Sequence, residues 1–91
     1  MKEDLDKKRK RLIFRSWHRG TREMDLIMGS FADEYVPAFN EDQLSLYDEI
    51  LMHSDPDLYN WVSGKEDVPA NYINEVMERL LIHDVSKSSS K

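Results

Sequence analysis

The spacing of Met24, Ile27, Met28, Phe31 and Tyr35 is the strongest constraint on this 91-residue chain. These apolar residues step by three and four, which places them in one stripe of an α-helix and on both faces of a strand. Other segments follow the same rhythm, and no stretch longer than five residues alternates apolar with polar. Three glycines and three prolines cut the chain into short pieces. The fold class expected is therefore all-α, a small single-domain bundle of about five short helices.

The first helix is expected over about residues 5 to 18, with Leu5, Leu12, Ile13, Ser16 and Trp17 inward and Gly20 breaking the pattern. The second spans about 21 to 35, limited by Pro37, which disfavours helical geometry at the residue before it. The third has the clearest start: Asn40 and Gln43 stand as a capping box, Phe39 and Leu44 as a hydrophobic staple, and Leu44, Tyr47, Ile50 and Leu51 form its core face. The fourth reads Asp55-Pro56-Asp57-Leu58-Tyr59-Asn60-Trp61-Val62-Ser63-Gly64, a cap, an early proline, a first-turn acid and a terminating glycine. Leu58, Trp61 and Val62 should anchor these two turns, with Tyr59 able to lie on either face. Pro69 is read as opening the fifth helix, whose Tyr72, Ile73, Val76, Met77, Leu80 and Leu81 form a broad apolar face through about residue 83. The division expected is a partly disordered basic arm (1–8), the helical domain (9–84) and a disordered serine-rich tail (85–91).

Function classes fall away in turn. A chain of this size buries roughly 60–65% of its unfolded surface and leaves little room for an enclosed catalytic cavity. With no cysteine, disulfides, thiolate metal sites and thiol nucleophiles are excluded. No apolar run exceeds four residues, so no membrane insertion is expected. The cluster Lys7-Lys8-Arg9-Lys10-Arg11 follows Glu3, Asp4 and Asp6, which is unlike an acid-poor targeting peptide, and a cytoplasmic location is expected.

Net charge is −5, unevenly spread. Residues 1 to 23 hold nine Lys/Arg against four acids, and residues 24 to 91 hold four against fourteen. The basic cluster could contact phosphates as a small nucleic-acid-associated or antitoxin-like regulator, but the acidic remainder would repel the same polyanion. A solvated basic helix end, or a patch for an acidic protein partner, fits better, and no nucleic acid is expected.

His18, His53 and His83 fall in different segments without metal-ligand spacing, so no metal site is expected, and His53 and His83 suit helix C-termini. The acid pairs Asp33/Glu34, Glu41/Asp42 and Asp55/Asp57 match first turns and solvent faces better than a catalytic dyad. Met24, Met28 and Met77 read as core. No catalytic residue emerges. The segment Arg19-Gly20-Thr21-Arg22-Glu23 remains, and on physics alone it reads either as an interhelical turn with Gly20 as cap and Glu23 favouring the helix dipole, or as a functional surface.

That segment resembles a known family, the succinate dehydrogenase assembly factors, also called SdhE or FAD assembly factors. Their hallmark is an Arg-Gly-x-x-Glu motif opening the second helix of a five-helix bundle, matched here by Arg19, Gly20 and Glu23. Trp17, His18, Arg22, Met24 and Asp25 around it are similar to the family as well, as is Asp55 to Trp61, and the likeness covers roughly residues 9 to 84. The resemblance implies a chaperone-like accessory, not an enzyme, that binds the flavoprotein subunit of succinate dehydrogenase, and in some bacteria that of fumarate reductase. It implies that the factor promotes covalent attachment of FAD, which stays with the partner and is not bound stably by the factor, expected to be a monomer. The partner-binding residues implied are Arg19, Gly20, Glu23, Trp17, His18, Arg22 and Asp25, with Gly20 allowing close backbone approach and Arg19 and Glu23 making charge-assisted contacts.

Overall fold

A computed structural model describes residues 4–83, and five α-helices make up the domain. They are α1 (Leu5–Ser16), α2 (Arg22–Tyr35), α3 (Glu41–Ile50), α4 (Asp55–Val62) and α5 (Glu75–Ile82), with 3₁₀ turns at Val36–Ala38 and Ala70–Tyr72. The expected residues 85–91 of the tail and 1–3 of the arm lie outside the described residues, while residues 5–8 are already helical.

Each helix begins on a side-chain oxygen that satisfies an amide otherwise without a partner. Asp4 accepts from the Asp6 amide and Thr21 from Met24. In the capping box, the Gln43 amide donates to Asn40 Oδ1 at 2.8 Å and the Asn40 amide to Gln43 Oε1 at 2.9 Å. Phe39 and Leu44, the staple pair, are buried. Past the end of α4, Gly64 adopts φ +83°, a left-handed geometry that glycine tolerates without strain.

Three boundaries differ from the sequence reading. Helix α1 stops at Ser16, so Trp17 and His18 belong to the connection. Pro69 opens only the 3₁₀ turn, and α5 starts six residues later because Asn74 Oδ1 accepts from both the Val76 (3.0 Å) and Met77 (2.9 Å) amides. Tyr72 and Ile73, read as core-facing, are therefore exposed. At α4 the cap is Ser54, accepting from the Asp57 amide at 3.3 Å, and Asp55 is the first helical residue. That shift by one position leaves the Asp55 carboxylate available for other contacts.

The core is one cluster contributed by all five helices: Leu12, Met28, Phe31, Leu44, Tyr47, Leu58, Val76 and Met77 are fully buried, and Trp61 nearly so. Tyr47 lies within hydrogen-bond distance of buried Ser16, 2.6 Å away, whose hydroxyl donates in turn to the Leu12 carbonyl at 2.7 Å. Burial pushes the Tyr47 phenol well above its ordinary pKa of 10.0. Between α1 and α2, the Trp17 indole lies against the backbone of Gly29, where a Cβ would overlap the ring. The Trp17 Nε1 donates to Asp33 at 3.2 Å. Among the described residues no helix is long and apolar enough to cross a membrane.

Candidate functional site

The connection from α1 to α2, residues 17–21, carries the Arg-Gly of the motif, and its geometry is fixed by groups far away in sequence. Helix α3 ends with backbone carbonyls that lack intrahelical donors. The Arg19 guanidinium fills that place: Nη1 donates to the Leu51 carbonyl at 2.9 Å and Nη2 to the His53 carbonyl at 2.8 Å. The Arg19 Nε donates to Asp55 Oδ1 at 2.7 Å. A cation at the C-terminal end of α3 and a carboxylate in the first turn of α4 both complement their helix dipoles. The pair is charge-assisted on both sides, and the Arg19 side chain is only 11% exposed.

The second Asp55 oxygen accepts from the Gly20 amide at 2.7 Å. A Cβ at position 20 would stand 2.7 Å from that same oxygen, so the space beside Gly20 is already taken by the carboxylate. The Arg19 amide donates to Asp25 Oδ1 at 2.5 Å, which ties the turn to the first coil of α2. Groups from α2, the end of α3 and α4 thus converge on Arg19 and Gly20.

Two open depressions flank this clamp. One, of about 460 Å³, is lined by Arg15, His18, Arg19, Gly20 and Asp55. The other, of about 240 Å³, is lined by Thr21, Glu23, Met24, Asp55, Pro56 and Tyr59. Asp55 forms part of both walls. The first side carries the cations and the second the exposed carboxylate of Glu23.

Of the seven residues expected to meet a partner, the structure brings all to this end of the bundle but in two groups. His18, Gly20, Arg22 and Glu23 are at the surface. Arg19, Asp25 and Trp17 are engaged within the chain, so the Arg19 guanidinium expected to reach outward instead holds the turn. Asp55, Leu51 and His53 were missed as site residues. The signal for Asp55 was present in the second motif, where it was assigned to capping. Arg19 thus builds the interhelical turn, and Gly20 and Glu23 face out from it.

The histidines stay apart. His18 stacks on Phe14, with ring centroids 3.9 Å apart, and its Nδ1 lies 2.7 Å from the Phe14 carbonyl. His53 packs edge-on against Trp61 and Tyr72 just beyond α3. His83, directly after α5, lies 2.9 Å from the Ser30 hydroxyl. The basic arginines of α1 also turn partly inward: Arg15 pairs with Asp48 at 2.8 Å, and Arg9 donates to the Phe39 carbonyl at 2.9 Å.

Comparison with known proteins matches residues 10–84 to the family described as flavinator of succinate dehydrogenase. The chain is similar to the mitochondrial succinate dehydrogenase assembly factor 2-B of Drosophila mojavensis, 36% identical over 83 residues, covering 89% of this chain and 53% of that protein. It is likewise similar to the mitochondrial succinate dehydrogenase assembly factor 2 of Dictyostelium discoideum, 38% identical over 80 residues (88% and 57%). A third relative, from Debaryomyces hansenii, is 34% identical over 92 residues (98% and 65%). The chain thus spans between half and two thirds of these relatives' length. Their names place them in mitochondria, a compartment different from the cytoplasmic one expected from the acid-containing N-terminus. With the family model matched across most of the chain, the clamped Arg-Gly turn belongs to a member of the succinate dehydrogenase flavinator family.

Proposed function

We propose that this protein docks on the flavoprotein subunit of succinate dehydrogenase and promotes covalent attachment of FAD to it, as a chaperone-like accessory and not as the catalyst. The related fumarate reductase flavoprotein is the alternative client. FAD travels with the client, and the factor holds none stably.

The observation that carries this reading is the Arg19–Asp55–Gly20 clamp. It spends Arg19 internally, and in return it presents Gly20, Arg22 and Glu23 as a pre-set, exposed turn. A turn fixed before binding loses little conformational entropy on docking. The Gly20 backbone, without a side chain, admits a partner surface closely, and Glu23 beside the Tyr59 depression offers a carboxylate to a donor on the client. Docking would favour the attachment-competent arrangement of the client only through a difference in affinity between its conformations. A shift from 1:99 to 99:1 requires about 5.5 kcal/mol.

The test is complementation. In a strain lacking its own assembly factor, the wild-type chain should restore covalent flavin on the denatured flavoprotein subunit, read by its fluorescence in a gel. Glu23→Ala, with an unchanged circular dichroism spectrum, should not. Failure of the wild type to raise covalent flavin would overturn the reading, and full activity of Glu23→Ala would remove Glu23 from it.

A further inference from the structure

Helix α1 sorts its charges by direction. Arg9 and Arg15 reach inward to a carbonyl and to Asp48. Away from the core, Lys7, Lys10, Phe14 and, just beyond the helix, His18 recur at the three- and four-residue spacing of a single outer face, with Arg11 between that face and Arg15. Lys7 and Lys10 are exposed, and Arg11 lies 3.9 Å from Asp48 at the edge of the stripe. A lysine-rich outer face by itself is ordinary. What is not ordinary is Phe14 in the middle of it, 62% exposed and stacked on His18. Beyond Arg15 the surface changes sign: Met52, 76% exposed, lines a separate depression with Asp48 and Glu49 and bounds the stripe on that side. The stripe runs directly into the 460 Å³ depression beside Gly20.

We infer that this face of α1 is a second contact surface for the client flavoprotein, and that the client meets it with an acidic segment carrying an apolar side chain. Phe14 takes the apolar side chain, and Lys7 and Lys10 take the carboxylates. Charge complementarity selects an acidic occupant: residues 24 to 91 hold fourteen acids against four bases, so an acidic segment is repelled from most of the molecule and attracted here. The ring stack with His18 holds Phe14 before contact, the arrangement expected of an aromatic anchor with a charged rim. This inference rests on the proposed function, which supplies the client.

Isothermal titration of the full chain into the purified succinate dehydrogenase flavoprotein, at low and at high salt, tests it. Lys7→Glu/Lys10→Glu should weaken binding about tenfold at low salt, with the difference shrinking at high salt. Phe14→Ala should weaken it about tenfold at both. Lys7→Arg/Lys10→Arg should bind as wild type, and all should keep the wild-type circular dichroism spectrum. If wild type binds and both the charge-reversed and Phe14 variants bind equally well, the α1 face is wrong while the proposed function stands. If wild type does not bind the flavoprotein, the functional reading fails and takes this inference with it. Steeply salt-dependent binding to a DNA duplex, lost in the charge-reversed variant while flavoprotein binding persists, would also overturn it.

Discussion

Asp55 holds Arg19 and Gly20 with different oxygens of one carboxylate, 2.7 Å from the Arg19 Nε and 2.7 Å from the Gly20 amide, and so joins two sequence motifs 35 residues apart into one structure. Removing the carboxylate leaves a guanidinium with little exposure and without its counter-charge. Asp55→Ala should cost about 2–4 kcal/mol in urea unfolding, and Asp55→Asn, which keeps one acceptor oxygen, about half as much. Arg19→Lys should lose nearly as much as Arg19→Ala, because a single ammonium cannot reach a carboxylate and two carbonyls in the directions a guanidinium serves. A double-mutant cycle between positions 19 and 55 should return a coupling of about 1–3 kcal/mol. A coupling near zero would mean that the pair does not set the turn.

Glu23 separates stability from function. It is exposed in the first coil of α2, so Glu23→Ala should change unfolding free energy by no more than about 0.5 kcal/mol. Asp55→Ala should lower both stability and covalent flavin on the client. Measuring flavin per folded molecule at a temperature where both variants are native distinguishes them: the Glu23 defect should persist in full, and the Asp55 defect should shrink to the part that comes from the loosened turn.

Gly29 is required by the indole on top of it. Gly29→Ala adds a methyl group that the Trp17 ring must vacate, and overpacking of this kind costs about 1–3 kcal/mol against the roughly 1 kcal/mol that alanine contributes to a helix interior. A net loss of stability with a shifted Trp17 fluorescence maximum is expected. In a Trp17→Ala background the same substitution should become neutral or stabilising, since nothing then occupies the space.

Sequence reading located these elements unequally, and the reason is the distance over which each signal acts. The stripe of α2 and the Asn40–Gln43 box are local, and both stand in the structure where the spacing put them. For α5 the sequence reading rests on Pro69 alone, whereas the start is set by Asn74, whose side chain satisfies two amides where the proline satisfies none. The Arg-Gly turn was legible as a turn. The direction of Arg19 was not, because its partners Leu51, His53 and Asp55 lie 32 to 36 residues away and two of them are backbone carbonyls, which carry no residue-type signature. Asp55 was visible as an acid before a proline, and only the cap at Ser54 reveals that its carboxylate is not needed there.

The two-amide cap makes a prediction of its own. Helix α5 has eight residues, too few to persist without its ends secured. Asn74→Ala should cost about 1–2 kcal/mol and Asn74→Asp little, since a carboxylate accepts the same bonds and favours the dipole. Hydrogen exchange at the Val76 and Met77 amides should accelerate in the alanine variant more than exchange in α2.

Buried Tyr47 makes the fold sensitive to alkaline pH. Desolvation by burial raises its phenol in the folded state, opposed by the Ser16 hydrogen bond and the nearby arginines. In the unfolded chain the phenol ionises around its ordinary value of 10.0. Below that pH both states keep the proton, and the contribution to stability is complete. Above it the unfolded state binds fewer protons than the folded state, so unfolding free energy falls with rising pH by up to about 1.4 kcal/mol per pH unit from this residue alone. Tyr47→Phe should cost about 1 kcal/mol at neutral pH through the lost bond to Ser16, yet lose stability less steeply above pH 10 than wild type. Urea midpoints from neutral pH to pH 11 would show the two curves converging; parallel curves would mean that Tyr47 ionises as readily in the folded protein as in the unfolded one.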